Sequence, residues 1–81
     1  MTLRVLFFAS LARRLGLTQA TLKLSSGATV ADAYRTLAAE HPALEPASRG
    51  LAFAVNMAYV GPDHELRDGD ELALIPPVSG G

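Results

Sequence analysis

Thr29-Val30-Ala31-Asp32-Ala33-Tyr34-Arg35-Thr36-Leu37-Ala38-Ala39-Glu40 is the stretch on which the fold turns. Val30, Ala33, Tyr34, Leu37 and Ala38 recur at three- and four-residue steps, one stripe of an α-helix, and an apolar stripe must cover something. Thr29 with Asp32 three residues on approximates a capping box, Asp standing where Glu or Gln is usual. The helix therefore starts at Thr29 and runs to about Glu40, and Pro42 ends it.

Outward from this helix the chain reads as strands. Leu3-Arg4-Val5-Leu6-Phe7-Phe8-Ala9 is apolar on both alternating faces, as expected of a strand buried largely on both sides and central in its sheet. Ser10 is placed to cap a short helix through Leu15, with Gly16 as its stop. Ala20-Thr21-Leu22-Lys23-Leu24 alternates strictly and predicts a half-exposed second strand, closed by Ser25-Ser26-Gly27. After Pro42, Leu44 to Gly50 reads as a loop containing Pro46, and Leu51 to Val55 as a strand, broken near Asn56 before the short apolar piece Met57 to Val60. Gly61 to Gly69 is a turn-rich connection anchored by Leu66. Glu71 to Ile75 is the last strand, which Pro76-Pro77 must stop, since proline has no N–H for a ladder. The expectation is an α+β roll of one mixed sheet, four to five strands, under one main helix. Residues 1–75 form the domain and 76–81 a flexible tail.

An 81-residue chain of this kind builds one small core. It has no cysteine, which removes disulfides and side-chain thiol chemistry and suits a reducing cytoplasm. Its longest apolar runs, Val5 to Ala9 and Leu51 to Val55, are too short for a membrane span or a signal core. Net charge is −1 with no Lys/Arg cluster, so neither nucleic acid nor an anionic membrane is an expected partner. The charge is uneven, however: Asp63, Glu65, Asp68, Asp70 and Glu71 crowd the approach to the last strand, either as a solvated loop or as steering toward a basic partner.

Inside the domain the inventory for chemistry is poor. His41 and His64 have no partner at metal-ligand or catalytic spacing, so no metal site is expected. Ser10, Ser25, Ser26 and Ser48 sit where caps and turns explain them, and no glycine-rich phosphate loop occurs. An enzyme acting alone is not expected.

The end of the chain differs. Pro76 and Pro77 fix two φ angles and favour an extended exit, while Val78-Ser79-Gly80-Gly81 grow slimmer and more flexible. Six extended residues reach about 20 Å, enough to enter a buried site on another protein. Glycine leaves the last carbonyl open to attack and can enter a narrow slot. A terminal Gly-Gly arises by chance in about one chain in 200, so the residues before it carry the weight.

Those residues bring a resemblance. The strand-strand-helix-strand order, Asp68-Gly69-Asp70-Glu71-Leu72, and Ile75-Pro76-Pro77-Val78-Ser79-Gly80-Gly81 together resemble the sulfur-carrier small subunits of molybdopterin synthase, of the ubiquitin-like β-grasp fold. Val5-Leu6-Phe7-Phe8-Ala9 and Ala54-Val55-Asn56 match that family too, and the likeness spans essentially the whole chain. It implies that the Gly81 carboxylate is adenylated by an ATP-dependent activating enzyme and converted to a thiocarboxylate. The sulfur would then pass to a pterin precursor, cyclic pyranopterin monophosphate, in the large synthase subunit to make the molybdopterin dithiolene. Pro76, Pro77, Val78, Ser79 and Gly80 would serve insertion, and Phe8, Leu74 and Ile75 contact with the partner. The chain would bind no cofactor itself, ATP being used by the activating partner, and would be the non-catalytic small subunit of a sulfurtransferase.

Three alternatives stand beside this: a thiamine-pathway sulfur carrier, a ubiquitin-like protein modifier, and a β-grasp interaction module with an inert tail. The apolar character of the first and last strands also predicts an exposed patch including Phe8 and Ile75 on the face away from the main helix. The segments Pro42 to Gly50 or Ser10 to Leu15 could instead fold over that face.

Overall fold

The computed structural model describes residues 1–47 and 50–77. Five strands, β1 (Thr2–Phe7), β2 (Gln19–Lys23), β3 (Ala52–Val55), β4 (Ala58–Val60) and β5 (Glu71–Ile75), form one sheet in the order β2-β1-β5-β3-β4. β5 lies parallel to β1, and the other neighbours are antiparallel. With α2 (Val30–Glu40) across one face, this is the expected mixed β-grasp sheet.

α2 begins as its sequence dictates. The Thr29 N–H donates to Asp32 Oδ2 at 2.9 Å and the Asp32 N–H donates to Thr29 Oγ1 at 3.3 Å, closing the capping box. Donation from the Thr29 backbone is the main cause that holds the Asp32 carboxyl below its ordinary pKa; partial desolvation opposes it, and the Thr29 hydroxyl and Arg35 add to the lowering. The next two N–H groups of the helix, on Val30 and Ala31, donate to the carbonyls of His64 and Pro62. The 61–70 connection is thereby fastened to the helix start, and its anchor Leu66 is buried. Val30, Ala33 and Leu37 pack with Leu3, Val5, Phe7, Leu22, Val55, Leu72 and Leu74 in one core.

Three local expectations are corrected. α1 spans Ala9–Leu15 and its N-cap is Phe8, with no side-chain cap bond, so Ser10 lies within the first turn and does not cap it. Gly16 does end α1, at φ 72°. The segment read as a loop contains a 3-10 helix, Pro42–Ala47, which packs on α1 and α2 and buries Leu44. Met57 belongs to the turn rather than to the strand after it: Asn56 and Met57 have φ of 51° and 72°, the left-handed pair that a two-residue hairpin needs. Among the described residues no helix is long and apolar enough to cross a membrane.

Candidate functional site

β5 delivers the tail, and the register of its neighbours decides what surrounds the point of departure. Phe7 stands beside Leu74 and Ala52 opposite Ile75. The Phe8 N–H donates to the Leu74 carbonyl at 3.4 Å, which carries the ladder one residue past β1. Side chains alternate between faces, so Leu72 and Leu74 point toward α2 while Glu71, Ala73 and Ile75 point away from it.

That open face is graded along the strands. Nearest the tail come Phe8, Ile75 and Ala52. Next is a row across the sheet of Gln19, Leu6, Ala73, Ala54 and Tyr59. Beyond that row come Thr21, Arg4 and Glu71, where Arg4 Nη1 lies 3.5 Å from Glu71 Oε2. Phe8 is 45% exposed and Tyr59 75%, with Leu6, Ala52 and Ile75 half-buried. Neither helix nor the 3-10 helix takes Phe8 out of solvent: Leu11 and Leu44 turn into the core on the opposite face. The exposed apolar patch anticipated around Phe8 and Ile75 is present.

Leu74 is different. It is fully buried among the core residues, so its side chain offers nothing to a partner, and its place among the contact residues is corrected. The reason is parity, since one step along β5 turns a side chain from the open face to the core. Pro76 is half-buried and Pro77 exposed. Val78, Ser79, Gly80 and Gly81 lie outside the described residues, as does the expectation that this stretch is flexible.

At the polar end, Asn56 does work that its sequence position did not advertise. Its backbone N–H donates to the Glu71 carbonyl at 2.9 Å, its Oδ1 accepts from the Glu71 N–H at 3.0 Å, and its Nδ2 donates to Asp70 Oδ1 at 2.9 Å. Asp70 Oδ2 also accepts from the Arg67 N–H, and Asp68 Oδ1 from the Thr2 N–H. Three of the five clustered acids thus have structural partners: Asp68 and Asp70 tie the start of β5 to β1 and to the hairpin turn, and Glu71 pairs with Arg4. His41 sets its ring edge-on to Phe7, with centroids 6.4 Å from one another, at the C-cap of α2. Among the described residues no group of three or more His, Asp or Glu side chains is placed to hold a metal ion.

This geometry belongs to a known family. A model described as the ThiS family matches residues 5–81. The chain is a member of the ThiS family. It is 41% identical over 83 residues to the molybdopterin synthase sulfur carrier subunit of Chlamydomonas reinhardtii, covering 100% of both chains. Its fold overlays the crystal structure of the small archaeal modifier protein 1 of Haloferax volcanii with a TM-score of 0.91 at 32% identity, covering 100% of both. The complex of subunits 1 and 2 of the molybdopterin-converting factor from Helicobacter pylori contains a chain matched at a TM-score of 0.73 and 26% identity, again over 100% of both.

Proposed function

We propose that this chain is the sulfur-carrier small subunit of a molybdopterin synthase and that the α-carboxylate of Gly81 is its working group. The observation that carries the reading is the full-length likeness to a carrier subunit, joined to a family match that runs through the tail to residue 81. In the first step a carboxylate oxygen attacks the α-phosphorus of ATP on an activating enzyme, pyrophosphate leaves, and an acyl-adenylate forms. Hydrosulfide supplied by a sulfur donor then attacks the carbonyl carbon and AMP departs, leaving the thiocarboxylate. Both steps need an uncrowded carbonyl, which glycine supplies. The charged tail then delivers its sulfur to the pterin precursor inside the large subunit, water cleaving the acyl–sulfur bond and returning Gly81 as the carboxylate; the large subunit docks on the apolar open face around Phe8 and Ile75. Burying that patch would hold the body while the tail reaches inward. The large subunit and the activating enzyme supply the pockets, the ATP and the donors around the reacting carbonyl; this chain supplies the electrophile.

A second reading is favoured by the overlay on the archaeal modifier protein: the same activated terminus would be spent on a lysine amine, and higher-mass conjugates would mark it. One variant tests the common core of both. Appending one alanine after Gly81 turns the carboxylate into a peptide bond. The expected outcome is an unchanged thermal melt with no thiocarboxylate and no molybdopterin formed. Cofactor synthesis by the untrimmed extended protein would contradict the reading.

A further inference from the structure

The antiparallel ladder between β3 and β5 is paired as far as Ala52 and Ile75. Two residues further in the same register stand Gly50 and Pro77. Gly50 has φ +73°, in the left-handed region, and a Cβ placed on it would lie 3.2 Å from Cγ, 3.4 Å from Cβ and 3.8 Å from Cδ of the Pro77 ring. Gly16, Gly27 and Gly69 share the positive φ, yet a Cβ on any of them would meet nothing within 4 Å. Those three are therefore glycines for conformation alone. Among the described glycines, Gly50 is where a neighbour in space also uses the missing side chain, and that neighbour is the second residue of the tail.

A proline ring is fused to its own backbone, so a push on it cannot be absorbed by a side-chain rotation and is passed to the main chain. We infer that Gly50 is a positioning residue for the sulfur-carrying tail: its bare Cα seats the Pro77 ring and so fixes the place where the tail leaves the body. The inference rests on the sulfur-carrier reading for its functional consequence, but not for the contact itself. A displaced Pro77 ring moves the point from which the tail sets out, and a misplacement of about 1 Å at a reacting group costs on the order of a hundredfold in rate.

Gly50→Asn is the discriminating substitution, because Asn enters the left-handed region more readily than other non-glycine residues while adding atoms against Pro77. It is compared in two backgrounds, wild type and Pro77→Gly, where the ring is gone. Three readouts are taken: the nuclear Overhauser contact between the Gly50 α-protons and the Pro77 ring, the thermal midpoint, and the rate of thiocarboxylate formation with ATP, a sulfur donor and the activating enzyme. The contact is expected in the wild-type protein. Gly50→Asn should lower the midpoint equally in both backgrounds, as backbone strain would, but slow charging about tenfold or more only where Pro77 is present. Equal slowing in both backgrounds, or no Gly50–Pro77 contact in the wild-type protein, overturns the seat. A wild-type protein that shows the contact and takes no sulfur overturns the carrier reading instead.

Discussion

The two faces of the sheet are made by the same strands and have opposite fates. Toward α2, Leu3, Val5, Phe7, Leu22, Leu72 and Leu74 are closed off by Val30, Ala33, Leu37, Leu11, Leu44 and Leu66. Away from α2, Phe8 and Tyr59 are exposed and Leu6, Ala52 and Ile75 half-buried, with the small Ala54 and Ala73 buried among their neighbours, and this surface gives way to Arg4, Thr21 and Glu71 toward the end remote from the tail. An open face needs only polar residues to stay in water. The apolar half beside the tail is therefore surplus to folding, and on the proposed reading it is where the large subunit docks. The covered face makes the protein stable; the open one is free for docking.

If that division is right, substitutions on the two faces should fail in different assays. Leu37→Ala, on the covered side, should remove about 2–5 kcal/mol of stability, read from chemical denaturation, because it opens a cavity in a core too small to collapse around it. A loss below about 1 kcal/mol would mean that α2 is a looser cover than its packing indicates.

Phe8→Lys should do the reverse. Stability should move by no more than about 0.5 kcal/mol, while affinity for the large subunit should fall about tenfold or more, since exposed aromatics at the centre of a patch are the usual anchors of an interface. Unaltered affinity with retained stability would retire the patch as a docking face.

The smallest effect concerns the start of the covering helix. Because the folded-state pKa of Asp32 is depressed, its charged form contributes stability that is present above the ordinary carboxylate value and is lost as pH falls through the folded one. The gap in thermal midpoint between wild type and Asp32→Asn should hold steady around neutral pH and narrow below about pH 4. A gap that does not change on acidification would show that the capping-box charge is irrelevant to the helix.

What could be read without coordinates was what neighbouring residues decide among themselves. The stripe on α2, its Thr29–Asp32 cap, Gly16 as the α1 stop and the span of β5 are all local, and all stand. The 3-10 helix at Pro42–Ala47 was hidden because two prolines in a short segment look like a loop, and only the burial of Leu44 between α1 and α2 gives it a shape. The apolar piece Met57 to Val60 gives no local sign that its first residue belongs to the turn, because methionine rarely takes φ of 72°; the bonds of Asn56 to Glu71 and Asp70, residues distant in sequence, hold that turn. At the candidate site, Phe8 and Ile75 were legible from strands apolar on both sides. Leu74 reads as a contact residue in sequence because Leu72-Ala73-Leu74-Ile75 is apolar on both parities, although the larger Leu72 and Leu74 mark the inward one. Tyr59, Ala52 and Gly50 join the site only through the register of β3 with β4 and β5, a long-range fact that no local pattern carries.

The central claim is that the end of this chain carries sulfur, and the mass of the protein reports on it directly. The carrier should be incubated with the activating enzyme, ATP and a sulfur donor, and its intact mass taken before and after. The account predicts a gain equal to the replacement of one oxygen by sulfur, confined by fragmentation to Gly81 and absent without ATP. An unchanged mass under conditions where the activating enzyme charges a known carrier, or the added sulfur found anywhere but on Gly81, would contradict it.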